Sequence, residues 1–245
     1  MSEEIGALEA LATTRSIHRY RADPIPDDDL AKILWSATRA PSGSNSQPFR
    51  FLVLRDGERA ARAKALLGDS FRKAWGAKSS GEGWAQGSGA DANSPKARTG
   101  RAMQRFVDRF EEIPVVVLAC ALRYRDANVY EGASIYPACQ NLLVAARALG
   151  YGGTITIWHV ACEAALRELL EIPENVFIAA TIPLGVPEGS HGPLRRRPVA
   201  ELVFDGVWDA PAEWVSDAPD ARLSSSRSAS RTRFEKGGAW KPPGS

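Results

Sequence analysis

The longest strongly apolar run in the chain, Ile113 to Leu122, is rich in valine and does not alternate with polar residues. A segment of that kind is a strand covered on both of its faces. It falls far short of the length a membrane-spanning helix needs. The remainder of the chain therefore has to supply layers to cover it.

Helix and strand patterns alternate on both sides of that run. Residues 4–12 carry Ile5, Leu8, Leu11 and Ala12 on one helical face. Thr14 to Tyr20 reads as extended. Asp23-Pro24-Ile25-Pro26 breaks the chain, and Asp27 can cap a helix to about Thr38 with Leu30, Ile33, Leu34 and Ala37 as its buried stripe. Ala40 to Pro48 is a loop, Phe49 to Leu54 a strand ended by Asp56-Gly57, and Glu58 to about Lys78 a helix. From Ser79 to Gly100 the composition turns to Gly, Ser, Ala and Asn, which predicts a flexible excursion that could close over a site as a lid.

Beyond the apolar run, a long helical segment reaches Leu149 and is closed by Gly150, with Pro137 predicting a kink or restart near Ser134. It is apolar nearly all round (Ile135, Ala138, Cys139, Leu142, Leu143, Val144, Leu149), so it belongs at the centre of the fold or in a subunit interface. Thr154 to Trp158 reads as a short strand, Cys162 to Leu170 as a helix and Val176 to Leu184 as a strand. After about Val207 apolar residues thin out. Residues 224–233 are Ser/Arg-rich, and Phe234 and Trp240 follow as isolated anchors. No linker interrupts the alternation, which predicts one α+β domain over 1–207 and an arm or tail over 208–245 that could wrap a partner subunit.

Charge and cysteine usage narrow the function classes. The net charge is +2, which gives no global field favouring nucleic acid or a membrane surface. Cys120, Cys139 and Cys162 stand alone in apolar surroundings, without the spacing of a disulfide framework or a zinc site. The acidic start lacks a signal-peptide core, so a reduced, cytoplasmic protein is expected. GxSxG, HExxH and GxxxxGK[ST] are all absent. Gly150-Tyr151-Gly152-Gly153 follows a helix and precedes a strand, the reverse of the dinucleotide-binding order. No metal site is expected.

Three polar clusters remain. Arg15, Ser16, His18 and Arg19 form the first, the Pro41 to Gln47 loop the second, and Arg195-Arg196-Arg197 the third. Guanidinium groups suit a phosphate because they stay ionised and present several donors in a plane.

Thr14-Arg15-Ser16-Ile17-His18-Arg19-Tyr20 resembles the opening motif of the nitroreductase family, and Ala40 to Phe49 is similar to its second motif. Gln140 to Gly150 resembles the family's central helix and glycine exit, and Ile182 to Gly185 with Arg196-Arg197-Pro198 and Glu201 its closing pair. The four occur in order over about Leu8 to Val207. The resemblance implies a three-layer α-β-α sandwich around a mixed central sheet, a homodimer, and FMN bound between subunits. It implies that Arg15, Ser16 and His18 hold the phosphate, with Arg196 closing and Arg195 helping. Pro41, Ser42, Gly43 and Asn45 would reach the flavin from the other subunit, and Gly152, Gly153 and Thr154 would offer backbone N–H groups near its N5. His18 stands where the family usually has Arg or Lys, and Thr14 where it often has Arg.

The implied reaction is a ping-pong transfer from NADH or NADPH to the flavin and on to a small electron-poor acceptor, a nitroaromatic or quinone. The flavin carries the chemistry, and no catalytic side chain is assigned. Trp75, Trp84, Phe106, Phe110 and Trp158 are candidate acceptor-pocket residues or plain core. Another flavin reaction (dehydrogenation, dehalogenation, flavin fragmentation) and a non-catalytic flavin-binding role are the alternatives.

Overall fold

A computed structural model describes residues 5–84, 91, 93–128, 130–189, 191–192 and 194–224. It divides into two compact units, one up to His191 and one from Gly192 onward. The sequence places its boundary later, after Val207, because apolar residues persist through Val199, Leu202 and Val203. Phe234, Trp240 and most of the Ser/Arg-rich tail lie outside the described residues.

In the first unit the helices are α1 (Ala7–Thr13), α2 (Asp27–Ala37), α3 (Glu58–Glu82), α4 (Pro95–Asp108), α5 (Gly132–Ala148) and α6 (Glu163–Leu170). The strands are β1 (Phe49–Leu54), β2 (Val115–Leu122), β3 (Gly152–Gly153) and β4 (Val176–Gly185), in the order β1-β2-β4-β3. Every one of these pairings is antiparallel. The expected mixed character of the sheet is confined to one parallel bridge, Ser16 to Gly153, at the β3 edge.

The apolar run behaves as its composition demands. On β2, Val115, Val117, Ala119 and Ala121 join one core with α2 and α5, while Val116, Leu118 and Cys120 join a second with α3, α4 and α6. That alternation gives the three layers directly, since successive side chains of a strand point to opposite faces. β4 follows a different count. Val176 and Ile178 belong to the second core, but Ala180, Ile182 and Leu184 belong to the first. The register explains this: Cys120 lies opposite Ile178 and Ala119 opposite Ala180, leaving Ala179 without a partner. One extra residue in a bulge reverses the faces of everything after it.

α5 lies at the centre, with Ile135, Ala138, Cys139, Leu142 and Ala146 fully buried and Pro137 inside a helix that begins at Gly132. It ends as expected at Gly150, which takes φ +85° while the Tyr151 N–H donates to the Ala146 carbonyl at 2.8 Å. Two expectations fail. Thr154 to Trp158 is not a strand: only Thr156 bridges β4, at Thr181, and a 3-10 turn starts at Trp158. The segment from Ser79 to Gly100 is helical at both ends, as the end of α3 and the start of α4, with residues 85–90 and 92 outside the described residues. Ser94 caps α4 by accepting the Ala97 N–H, with Pro95 in the first turn.

α1 also departs from its pattern. Ala10 is its buried residue, whereas Leu8 and Leu11 of the predicted stripe are 83% and 51% exposed. Cys120 and Cys139 are buried thiols, pushed up to about 11 and about 12 by burial, and Cys162 is half-buried and free. No helix among the described residues is long and apolar enough to cross a membrane.

In the second unit, Arg195–Arg196 (β5) pairs in parallel with Arg222–Leu223 (β6).

Candidate functional site

The extended segment after α1 runs along the β3 edge. The Ile17 N–H donates to the Gly153 carbonyl at 3.0 Å, and the Tyr20 hydroxyl reaches back to the Ile17 carbonyl at 2.5 Å. This approach requires glycine at both β3 positions. A Cβ on Gly152 would lie 2.5 Å from Ile17 Cγ1, and one on Gly153 would lie 2.6 Å from Leu184 Cδ2 and 2.7 Å from the Pro183 carbonyl oxygen. Packing within the chain thus dictates the two glycines.

That packing presents Arg15, Ser16 and His18 at the end of β3. Arg15 and Ser16 are exposed, and Arg15 has no carboxylate partner among the described residues. His18 sits edge-on to Phe106, with ring centroids 5.1 Å apart, and burial and then the Arg15 charge hold its pKa below the usual histidine value. His191, not singled out by the sequence, joins this cluster. Its Nε2–H donates to the Tyr151 carbonyl at 3.0 Å, and a Gly152 Cβ would lie 3.2 Å from its Cε1. Burial, then Arg147 and Arg15, lower its pKa as well. The result is a patch of positive potential without an anion of its own among the described residues. Arg19 borders another cleft, shared with His18, Phe106, Arg105 and Arg109 but not with Arg15 or Ser16, where Arg105 pairs with Glu188 at 2.9 Å.

Beside the patch is a cleft of about 260 Å³ bordered by His18, Phe106, Thr154, Ile157 and Trp158. Thr154 is buried. Of the aromatic candidates, Phe106 and Trp158 line this cleft, whereas Trp75 and Phe110 are core and Trp84 packs on Trp75 at 5.9 Å between centroids.

The loop cluster is elsewhere. The Gly43 N–H donates to Ser134 Oγ at 3.2 Å in the first turn of α5, Ser42 Oγ accepts the Gln47 N–H, and Asn45 Oδ1 accepts from Gln47 Nε2. Ser44, Asn45 and Gln47 all take positive φ, and Pro41 is exposed. The loop therefore sits at the start of α5, while Gly152 to Thr154 follow its end. At 1.5 Å per residue those ends are roughly 24 Å apart. Along β4 the count agrees: Leu184 faces Gly153, and Phe177 borders the loop, roughly 23 Å away at strand rise. The structure brings Arg15, Ser16 and His18 together with Gly152, Gly153 and Thr154, and leaves Pro41, Ser42, Gly43 and Asn45 at the far end. Arg195 and Arg196 are exposed in the second unit without carboxylate partners among the described residues. No group of His, Cys, Asp or Glu among the described residues is arranged to hold a metal ion.

The histidines make stability depend on pH. His18, His159 and His191 are all held below the usual value of 6.5, with burial the first cause in each. His159 is 1% exposed, and its Nε2–H donates to the Ile178 carbonyl at 3.0 Å. Each contributes stability that is complete above the unfolded value and is lost as pH falls through the lower folded value. The melting temperature should therefore be lower at about pH 5.5 than at about pH 7.5, before most carboxylates titrate. A thermal scan with equal or higher melting at the acidic pH would contradict this.

The Nitroreductase family model matches residues 11–186. An Archaeoglobus fulgidus protein provisionally named NADH dehydrogenase/NAD(P)H nitroreductase is 29% identical over 188 residues, 74% of this chain and 85% of its own length. The 5,6-dimethylbenzimidazole synthase of Rhodospirillum rubrum is 26% identical, over 77% of this chain and 82% of its own. A provisionally named nitroreductase of Desulfovibrio desulfuricans, solved in complex with FMN, superposes with a TM-score of 0.57 at 27% identity, covering 84% of this chain and 99% of that one.

Proposed function

Because this chain belongs to the nitroreductase family, we propose that it is an FMN-dependent NAD(P)H oxidoreductase, active as a homodimer, whose acceptor is an electron-poor nitroaromatic or quinone. The observation that carries this reading is the split site. A phosphate-suited patch with an adjoining cleft lies at one end of α5, and a loop of the type that covers a flavin lies roughly 24 Å away at the other. Within one chain the two halves cannot meet on one ring system. A two-fold related copy would bring each loop to the other's patch. Leu8 and Leu11 on α1 and Trp35 on α2, 63% exposed, are apolar surface such a dimer would cover.

The residues present fit FMN. The unneutralised Arg15 beside His18 and His191 matches a terminal phosphate, and no Rossmann half is available for an adenine. Arg15, Ser16 and His18 would hold the phosphate, Arg195 and Arg196 would close on it, and the Gly152–Thr154 backbone would orient the ring. Pro41, Ser42, Gly43 and Asn45 of the second copy would cover it. When bound, FMN supplies hydride acceptance from NAD(P)H and delivery of two electrons to the acceptor. Phe106 and Trp158 would exclude water from that face, and no side chain is assigned a proton transfer. A different flavin reaction on the same scaffold is the competing reading, because a 5,6-dimethylbenzimidazole synthase is among the relatives.

An anaerobic visible spectrum of the purified protein, taken with NADH and then NADPH, tests the proposal. The protein should be yellow, release FMN rather than FAD on denaturation, bleach with a nicotinamide and recover colour on addition of a nitroaromatic. Light scattering should give a dimer. Bound flavin that no nicotinamide bleaches would refute the reductase reading, and a flavin-loaded monomer would refute the shared site.

A further inference from the structure

The loop at the start of α5 borders a second cleft, of about 310 Å³, of whose lining residues only Gly43 is also assigned to the cofactor site. Its other wall is the segment between β2 and α5, which presents two tyrosines to solvent: Tyr124 is 69% exposed and Tyr130 is 75% exposed. Two large aromatic side chains left this open on one cleft are surface that a planar ligand would cover.

The charges of the cleft are unequal in their engagement. Arg123 is committed, with its guanidinium 4.6 Å from the Phe177 ring centroid and its Nη2 donating to Glu131 Oε2 at 3.0 Å. Arg125 is exposed and makes no hydrogen bond or ion pair among the described residues. Two arginines against Glu131 leave one cation over, and Asp126, though next in the chain, does not line the cleft. Ser44 and Ser46 add hydroxyls on the opposite wall. A single free guanidinium fork matches the two oxygens of a carboxylate.

We propose that this cleft binds a planar aromatic carboxylate, with the ring on Tyr124 and Tyr130 and the carboxylate on Arg125. The acceptor class is thereby narrowed to aromatic acids, a step that rests on the proposed flavin reading only in taking Ser44 and its neighbours to lie beside a flavin held by a second copy.

The test is calorimetric titration of the protein as purified with 4-nitrobenzoate and with its neutral counterpart 4-nitrobenzamide. The acid should bind about five-fold tighter, the upper end for a solvent-exposed charge pair. That preference should fade in high salt. Arg125→Gln should abolish the preference while leaving the amide unchanged, and Tyr124→Ala should weaken both probes together. Equal affinities in the unmodified protein, or a preference that survives Arg125→Gln, would overturn the assignment. Arg125 is exposed, so Arg125→Gln should leave the fold intact; circular dichroism of both variants checks this, and the amide serves as the internal binding control. No nicotinamide or turnover enters the measurement. A protein without flavin or reductase activity would sink the function proposed above while this result still stood or fell by itself.

Discussion

Replacing Arg15 by alanine should weaken FMN binding about 10- to 150-fold and leave the flavin-free protein folded. A hydrogen bond to a charged group is worth roughly 1.5–3 kcal/mol, and each 1.4 kcal/mol is about ten-fold in affinity. The phosphate itself would cover the guanidinium, so solvent screening of the pair is reduced in the complex. Nothing in the core depends on Arg15, which is exposed and lacks a carboxylate partner among the described residues. The substitution should also flatten the dependence of affinity on salt, because one ionic contact is gone. Arg19→Ala is the control. It lies on the same extended segment but borders the cleft with Arg105 and Arg109, so its effect should stay under about three-fold. Quenching of FMN fluorescence, titrated for both variants, decides the matter. Equal losses, or a larger loss at Arg19, would assign the phosphate to the other side of the segment.

Gly153→Ala should destabilise the fold by about 1–3 kcal/mol, the range for adding a methyl to packed surroundings. For a chain of this size that lowers the melting temperature by roughly 2–4 °C per kcal/mol. The added Cβ would meet Leu184 Cδ2 at 2.6 Å and the Pro183 carbonyl oxygen at 2.7 Å. The leucine tip can turn away, but the carbonyl belongs to β4 and moves only with the strand. Relief would therefore separate β3 from β4 and carry the Ile17 hydrogen bond with it. Gly43→Ala, where a Cβ would meet only Ser134 Oγ at 3.8 Å, should stay within about 0.5 kcal/mol of the unmodified protein. If Gly153→Ala melts with the unmodified protein, packing does not explain why glycine occupies β3.

The elements that the sequence reveals most clearly are those whose burial is complete. β2, β4 and α5 meet neighbours on most sides, so their composition alone names them. α4 was hidden because Lys96, Arg98, Arg101 and Arg105 dilute an apolar side made of Ala97, Gly100, Phe106 and Val107. Its Ser94-Pro95 start was a usable signal that the surrounding glycine and serine obscured. α1 misleads in the opposite way, since the apolar pattern of Leu8 and Leu11 is genuine but faces solvent in the single chain. Thr154 to Trp158 has strand-like residues but bridges β4 only at Thr156, and no propensity scale registers a missing neighbour.

At the site, the motif residues Arg15, Ser16 and His18 were legible, and so was the glycine pair. The reason for the glycines was not: it depends on Leu184 and Pro183, which are distant in sequence. His191 carried no local signal at all, being one histidine in a polar stretch. Its place beside Arg15 follows from where β3 and β4 end.

The unpaired Ala179 makes β4 behave like a message read in two frames. Upstream, even-numbered residues are spelled for the core of α3, α4 and α6; downstream, even-numbered residues are spelled for the core of α2 and α5. A substitution at Ala179 changes one letter, and its deletion would only leave Ile178 and Ala180 as neighbours on opposite faces of a regular strand, whereas deleting a paired residue such as Phe177 would shift the frame and turn Val176 toward the wrong layer. Outside the bulge, length along this strand is therefore under tighter constraint than identity, and lineages of this fold should vary its letters, and even the unpaired residue, before they vary the count of its paired ones.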